Sequence, residues 1–526
     1  MKVAIAQLNY TVGDIENNRA KIVTSLERAK CDGADLVIFA EQSISGIPAY
    51  DLLRKNTFLE LCEDALMDIA SHCDSISAIV GLPLLTQSGT ISAAALIENG
   101  RVQRYIGKRN ITARREMGYL TPALGYEYVT IAGNKCAIVV GDDISRLRDF
   151  DSSVETIISI NARKYGRGVL VSRMERTRNI AFMEGKNIVL VNQVGGGADI
   201  VYDGTSCVIN NRGEMAMVMK SFDEDFQLFD LERDIDNNVN SDVLTNIDRT
   251  KVLFDAACMG LRDFFAKSGY EKACLGLSGG IDSSVVASIA VATLGRENVM
   301  GMIMPLSVES SVEDAVQLAN NLGIEYQIIP INECYDTIVN SLTPIIGGTE
   351  FDATEENILS RIRTVLLMAL QNKRGYLLLN SSNKSENALG LCTLYGDTAG
   401  AISVTGDLYK GEIYSIARYI NKEMGEVIPS GILERVPSAD LRPDRRDAHN
   451  LPTYEIVDSI VFRMIEMGEH REEIINAGYD IEHVELIHKM IMQSEKKRFQ
   501  YPPVLRLSNC SFGHERRMPL TNKYGD

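Results

Sequence analysis

The sequence predicts two α/β domains in tandem, a layered domain of mixed strand pairing followed by a parallel, doubly wound sheet. Three observations predict it. Short apolar runs alternate with amphipathic segments along the first half, hairpin turns interrupt that alternation, and a regular strand–helix rhythm resumes after a polar stretch near residue 240.

The chain has 526 residues, enough for two to four domains at roughly 150 residues each. Val3–Leu8 reads as a strand, Ile15–Lys30 as a helix and Leu36–Phe39 as a strand. Asn99-Gly100 is a favoured two-residue hairpin turn between Ala93–Ile97 and Val102–Ile106, and Gly133-Asn134 lies between Tyr128–Ile131 and Cys136–Val140. The polar run between Leu231 and Asp248 is poor in large apolar residues and reads as a linker, giving domains at 1–232 and 251–526 with 233–250 between them. Beyond it, Ala273–Leu277, Val299–Met304 and Tyr326–Ile331 read as strands, and Ser284–Leu294 and Val312–Leu322 as helices. Such a sheet binds ligands at the carboxyl ends of its strands.

Composition excludes several classes. Hydrophobic residues make up 45% and charged residues 24%, which is globular usage. The net charge of −17 opposes a broad nucleic-acid surface, because that affinity comes from neutralising phosphates. No apolar run approaches the ~18 residues of a membrane helix, and Met1 leads straight into strand-like sequence, so a cytoplasmic protein is expected. The ten cysteines contain no C-x-x-C pair and read as reduced thiols, mostly in the core.

The most informative segment is Gly276-Leu277-Ser278-Gly279-Gly280-Ile281-Asp282-Ser283, between a buried strand and a helix. Two glycines allow a tight turn, and backbone N–H groups at a helix N-terminus hold phosphate. It is neither a Walker A loop nor G-x-G-x-x-G. Asp282 beside a polyphosphate requires a hard cation between them, so its expected role is a Mg²⁺ ligand. Alone, the loop could be an ordinary Ser/Gly turn with Asp282 as a first-turn helix acid.

This loop resembles the pyrophosphate-binding loop of the N-type ATP pyrophosphatases, which have an adenine nucleotide alpha hydrolase-like fold. Further blocks follow in order: Glu355–Arg363, Asn383-Lys384-Ser385-Glu386, Leu394-Tyr395-Gly396-Asp397, Pro437–Pro443 and Leu451–Glu455. Together they resemble the synthetase half of glutamine-dependent NAD⁺ synthetases. The resemblance implies that ATP adenylylates deamido-NAD⁺, pyrophosphate leaves and ammonia displaces AMP. It implies that residues 276–283 and Ser381 contact ATP, that Asp282 and Glu386 hold Mg²⁺, and that Asn357, Glu386 and Lys497 line the deamido-NAD⁺ site. Lys410 and Lys497 match family lysines that meet anionic parts of the substrates. Taken singly, each has a plainer reading: Asn357 a polar helix face, Glu386 a first-turn acid, Lys496-Lys497-Arg498 a solvated charge run. Ser381 stands where the family usually has Thr, and Leu306–Ser311 is shorter than the family loop.

The first 230 or so residues resemble the nitrilase-like glutaminase domain of the same family, an α-β-β-α fold, through Ala6–Asp14, Asp51–Leu53, Val191–Gly196 and Asp203–Ser206. That resemblance implies a Glu general base at Glu41 and an oxyanion-stabilising Lys at Lys108. The nucleophilic Cys is replaced: Val140-Gly141-Asp142-Asp143-Ile144-Ser145 puts Gly141 at its position. No thioester can form on glycine. The loop Arg109–Arg115 is short, and Arg163 stands where the family has a substrate-contacting Ser. A glutaminase-inactive front domain is therefore expected, with Glu41 and Lys108 left as an ion pair and ammonia arriving free or from an external donor. The rival readings are another N-type pyrophosphatase, a non-enzymatic regulatory homologue, and a glutaminase with a displaced nucleophile. The resemblance also implies a homo-oligomer.

Overall fold

A computed structural model describes residues 1–124, 128–146, 151–239, 248–306, 310–347, 351–435 and 451–523. The chain divides into two compact units, Met1–Ile247 and Asp248–Asp526. In chain order the front unit's strands are β1 (Lys2–Gln7), β2 (Leu36–Ile38), β3 (Ser77–Thr86), β4 (Gly89–Glu98), β5 (Arg101–Gly107), β6 (Tyr128–Ile131), β7 (Asn134–Val140), β8 (Thr156–Asn161), β9 (Asn187–Asn192), β10 (Val194–Gly197), β11 (Ile200–Asp203), β12 (Cys207–Ile209), β13 (Met215–Val218) and β14 (Asp225–Asp230). Its long helices are α1 (Ile15–Cys31), α2 (Asn56–Ser71) and α3 (Val169–Glu184).

Two six-stranded sheets run β14-β1-β2-β3-β4-β5 and β13-β12-β9-β8-β7-β6. Their inner faces share one core, where Val3, Ile5, Ile38 and Ile79 pack with Ile138, Val140, Ile158 and Val189. The outer face of the first sheet offers Ala4, Ala6 and Val37 to Ile22, Leu26 and Leu66 of α1 and α2. On the other side, Ile157, Ile188 and Leu190 pack on Met174 and Ala181 of α3. The layers are therefore α-β-β-α. Strands covered on both faces read as continuous apolar runs rather than as alternation, which is how β1 and β2 stand in the sequence. Each fully buried aliphatic side chain contributes about 1.5–3 kcal/mol.

The Asn99-Gly100 hairpin forms as expected, with φ of +52° and +73°. The second turn is displaced by one residue: Ile131 pairs with Asn134, so Ala132-Gly133 make the turn. That register keeps Ile131 in the core between the sheets. Residues 233–239 stay docked on the front unit, where Ile235 packs on the same core and Val239 N–H donates to Met215 O at 2.8 Å.

The back unit opens with α4 (Arg249–Ser268), N-capped by Asp248. There follow β15 (Ala273–Gly276), α5 (Ile281–Leu294), β16 (Val299–Ile303), α6 (Ser310–Leu322), β17 (Glu325–Ile328), α7 (Asn332–Ile346), α8 (Ala353–Arg374), β18 (Leu377–Asn380), α9 (Lys384–Leu389), β19 (Ile402–Ser403), α10 (Lys410–Met424) and α11 (Ser430–Glu434). The sheet is wholly parallel in the order β17-β16-β15-β18-β19. Strand order reverses between β15 and β18, so the ligand crevice belongs beyond their carboxyl ends. The helix after β15 begins at Ile281, three residues before the expected start, which moves Asp282 and Ser283 from the loop into its first turn. Glycine's extended conformation at Gly280 ends the loop there. The blocks at Pro437–Pro443 and Ser307–Glu309 lie outside the described residues.

All ten cysteines are free, but only five are buried; Cys31 and Cys334 are exposed, so the thiols are less confined to the core than the sequence suggests. Among the described residues no helix is long and apolar enough to cross a membrane.

Candidate active site

In the front unit the ends of β2, β5 and β7 bring Glu41, Lys108 and Gly141 together. Lys108 Nζ lies 3.0 Å from Glu41 Oε1 and 2.9 Å from each carboxylate oxygen of Glu116. Ser92 Oγ donates to Glu41 Oε1 at 2.9 Å, and all four residues are buried. Burial works against the Lys108 ammonium, but the Glu41 and Glu116 carboxylates outweigh it and hold its pKa above the ordinary lysine range. Burial, aided by Glu41, pushes the Glu116 carboxyl up. The expected ion pair is thus a three-membered cluster, and Glu116 is its unforeseen member.

Gly141 follows β7 at φ +60°, in the left-handed region that favours glycine. A Cβ built there would lie 2.6 Å from Lys108 Nζ, 2.7 Å from Lys108 Cε and 3.0 Å from Glu41 Oε2. Lysine therefore fills the space that a side chain at 141 would need. Cys136 is buried in the core between the sheets. Ser145 Oγ accepts from Arg163 Nη2 at 3.3 Å.

The neighbours are tied to one another. Arg163 pairs with Asp142 at 2.7 Å, and Thr112 Oγ1 donates to the same carboxylate at 2.7 Å. Burial alone would raise the Asp142 pKa, but Arg163 and Thr112 bring it below the usual range. Asp143 accepts the N–H groups of Arg109 and Asn110, both at 2.8 Å. Arg115 Nη2 donates to Ala162 O at 2.9 Å.

In the back unit, Leu277–Gly280 join β15 to α5. Gly279 has φ +76°, and a Cβ there would lie 2.1 Å from the Ser311 carbonyl oxygen, so only glycine fits. Gly280 N–H donates to Ser278 Oγ at 3.1 Å, and Ser283 Oγ lies 3.2 Å from Ser278 Oγ. Gly280, the N-cap residue of α5, has no side-chain cap, which leaves the helix N-terminus available to an anion.

Asp282 meets residues from beyond β18. Asn383 Nδ2 donates to its Oδ1 at 2.8 Å, and Lys410 Nζ pairs with its Oδ2 at 2.5 Å. Lys410 is also 3.8 Å from Glu386 Oε1. Burial opposes the Lys410 charge, yet Asp282 and Glu386 raise its pKa above the lysine norm. Lys410 is thus engaged with the two acids in this structure. Glu386 also forms a capping box with Asn383, so its structural reading as a first-turn acid holds together with its place beside Asp282. Ser381, half-buried, directly follows β18 at the same crevice.

Around them, Thr393 Oγ1 donates to Asn357 Oδ1 at 2.7 Å, and Asp397 Oδ1 accepts the Thr393 N–H at 2.7 Å. Lys497 Nζ donates to the carbonyls of Gly390 and Cys392, each at 2.7 Å, and Arg498 is buried, so within this charge run only Lys496 is exposed to solvent. The surrounding protein desolvates Asp397 and pushes its pKa up to about 6, although the side chain still meets water.

Two residues beyond the expected set are also placed. Lys384 is fully buried, 2.9 Å from Glu466 Oε1, 3.1 Å from Asp407 Oδ1 and 2.6 Å from Ser508 Oγ, and so anchors α9 beneath Glu386. Arg435 pairs with Asp314 and donates to the Gly279 carbonyl at 3.3 Å.

The arrangement can bind a polyphosphate on backbone N–H groups beside two carboxylates. Their oxygens, both within 4 Å of one ammonium, fit a hard cation that takes its other ligands from phosphate and water. Among the described residues no cluster of three or more His, Cys, Asp or Glu could hold a metal unaided.

A glutamine-dependent NAD(+) synthetase from Synechocystis is 36% identical over 552 residues, spanning 99% of this chain and 99% of its own. The chain belongs to the glutamine-dependent NAD⁺ synthetase family. The NAD synthase family model matches residues 253–501, within the back unit. The Thermotoga maritima glutamine-dependent NAD(+) synthetase is likewise 36% identical, over 571 residues, with 100% and 99% of the two chains covered. The structure of the Acinetobacter baumannii glutamine-dependent NAD⁺ synthetase in complex with ADP superposes with a TM-score of 0.76 at 32% identity, over 99% of this chain and 98% of that one. NAD⁺ synthetase activity, a carbon–nitrogen ligation that uses ATP, comes with the family.

Proposed function

We propose that this NAD⁺ synthetase amidates deamido-NAD⁺ with ammonia, free or delivered by another protein, and that its front unit does not hydrolyse glutamine. The observation that carries the second part is Gly141: it has no side chain, and Lys108 Nζ stands 2.6 Å from where one would begin. A glutaminase of this design needs a thiolate at that point, attacking the amide carbon and releasing ammonia. The Arg163–Asp142 pair and the pinned loop at Arg109–Arg115 occupy the neighbouring positions.

In the back unit the substrate carboxylate would attack the α-phosphorus of ATP, forming the acyl-adenylate and releasing pyrophosphate. Ammonia would then attack the acyl carbon, lose a proton and expel AMP. Residues 276–283 would bind the pyrophosphate through N–H groups and the Ser278 and Ser283 hydroxyls, with Ser381 on the nucleotide. Asn357, Glu386 and Lys497 would line the deamido-NAD⁺ site. Mg²⁺, held by Asp282 and Glu386, would neutralise phosphate charge. Lys410 would keep the two acids facing one another until the anionic substrates enter, then share its charge with them.

The test is formation of AMP and NAD⁺ from deamido-NAD⁺, ATP and Mg²⁺ by the pure protein, with ammonia or glutamine supplied separately. Ammonia should support turnover, whereas glutamine should give neither NAD⁺ nor glutamate. Robust turnover on glutamine would overturn the reading of Gly141.

A further inference from the structure

We propose that Arg435 is a pyrophosphate-binding residue, held in the free enzyme by Asp314 and transferred to the β- and γ-phosphates when ATP binds. This rests on the assignment of residues 276–283 as the ATP loop. The one ionisable side chain of that loop is Asp282, and it is paired with Lys410, which also faces Glu386. Two carboxylates around one ammonium leave a net charge of −1. A bound divalent cation brings that group to +1, still short of a pyrophosphate, so a further cation is needed on another side of the phosphates.

Arg435 is placed to supply it. It follows α11, and its guanidinium reaches the loop itself, donating from Nη1 to the Gly279 carbonyl at 3.3 Å while Nη2 pairs with Asp314 of α6. The loop is fixed from the same side by the Ser311 backbone, against which Gly279 packs too closely for any Cβ. The contact with Gly279 is long and to a neutral acceptor, whereas a phosphate oxygen would give a shorter, charge-assisted and bidentate bond. The Arg435 and Asp314 side chains keep 29% and 17% of their exposure, so exchanging partners does not bury a bare charge.

The position predicts a selective effect. Arg435 would recognise the leaving pyrophosphate and not the AMP half. The experiment measures inhibition by pyrophosphate and by AMP, the KM for ATP, and calorimetric binding of magnesium pyrophosphate, for the wild type, Arg435→Gln, Arg435→Lys and Asp314→Asn.

Arg435→Gln should weaken pyrophosphate and raise the KM for ATP by about 10–100-fold, the loss of one or two charge-assisted bonds, and leave AMP inhibition unchanged. Arg435→Lys should recover part of the loss. Asp314→Asn should tighten pyrophosphate, since it removes the competing carboxylate. If Arg435 were only a strut between Asp314 and the loop, Asp314→Asn would instead weaken pyrophosphate, and that sign would overturn the proposal. An unchanged pyrophosphate constant in Arg435→Gln would also overturn it. If Arg435→Gln does not fold, Arg435→Lys and Asp314→Asn carry the same decision. A wild type that releases no AMP from ATP would remove the underlying assignment of the loop instead, a result distinct from any failure of the variants.

Discussion

Adding a side chain at position 141 tests the front unit most directly. In Gly141→Ala the new Cβ meets Lys108 Nζ at 2.6 Å and Lys108 Cε at 2.7 Å. The far end of a lysine usually swings aside, but this one is held by Glu41 and by both oxygens of Glu116. Overpacking of such a site costs about 1–3 kcal/mol, and the left-handed backbone adds about 1–2 kcal/mol for a residue other than glycine. The expected loss is about 2–5 kcal/mol, or about 5–15 °C in the unfolding transition of a unit of this size. Thermal unfolding of Gly141→Ala and Gly141→Cys measures it. The same experiment in a Lys108→Ala background identifies the occupant: that change alone is strongly destabilising because it leaves two buried carboxylates facing one another, but the added cost of Gly141→Ala should then shrink to the backbone share of about 1–2 kcal/mol. An equal cost in both backgrounds would refute the claim that Lys108 fills the space beside Gly141. Gly141→Cys should also fail to yield glutamine-dependent NAD⁺, because Arg163 and the altered loop remain.

Asp282→Ala should lower ammonia-dependent AMP release by about 10²–10³-fold, read in steady-state assays across a Mg²⁺ titration; near-wild-type turnover would place the metal elsewhere. Lys384→Met should destabilise the back unit by about 3–5 kcal/mol, because Asp407 and Glu466 would lose their shared cation inside the protein; thermal unfolding measures it. Desolvation by the surrounding protein raises the pKa of the solvent-exposed Asp397 from 3.8 to about 6, so the folded state keeps a proton that the unfolded chain gives up, and stability attributable to this group falls as pH rises between those values. Asp397→Asn should therefore gain stability relative to the wild type between pH 4 and pH 6.5, as followed by melting temperature across that range; a constant difference would show that Asp397 titrates normally.

Much of the fold was legible because its signals are local. The Asn99-Gly100 turn, the α1 stripe and the Gly-rich loop after β15 each lie within a few residues of one another. The start of α5 was misplaced because Ile281-Asp282-Ser283 resembles loop chemistry, although an acid and a serine suit a first helical turn equally well. Lys384 stood inside a recognised block, yet its burial depends on Glu466 and Ser508, 82 and 124 residues away, and no local pattern announces that. Glu116 was missed for a related reason. The shortened stretch after Lys108 removes the spacing by which a second acid could be placed, and only the folded chain returns it to the lysine. Arg435 lacks even a block to mark it, since its partners are one carboxylate on α6 and one backbone carbonyl.

The same electrostatics explain which parts of a glutaminase centre can disappear without unfolding the domain. Glu41, Glu116 and Lys108 are buried, and removing the lysine leaves two carboxylates without their shared cation in a poorly polarisable interior, at about 3–5 kcal/mol. A thiol carries no such obligation. A glycine in its place, as proposed for Gly141, leaves no orphaned charge, suits the positive φ of that position, and leaves space into which the lysine end fits. On the proposed function, loss of the nucleophile is the inexpensive route to inactivity, and the lysine stays for structural reasons. On the proposed function, an intact Glu–Lys pair is consequently poor grounds for inferring glutamine hydrolysis, and the atom that matters is the one Gly141 lacks.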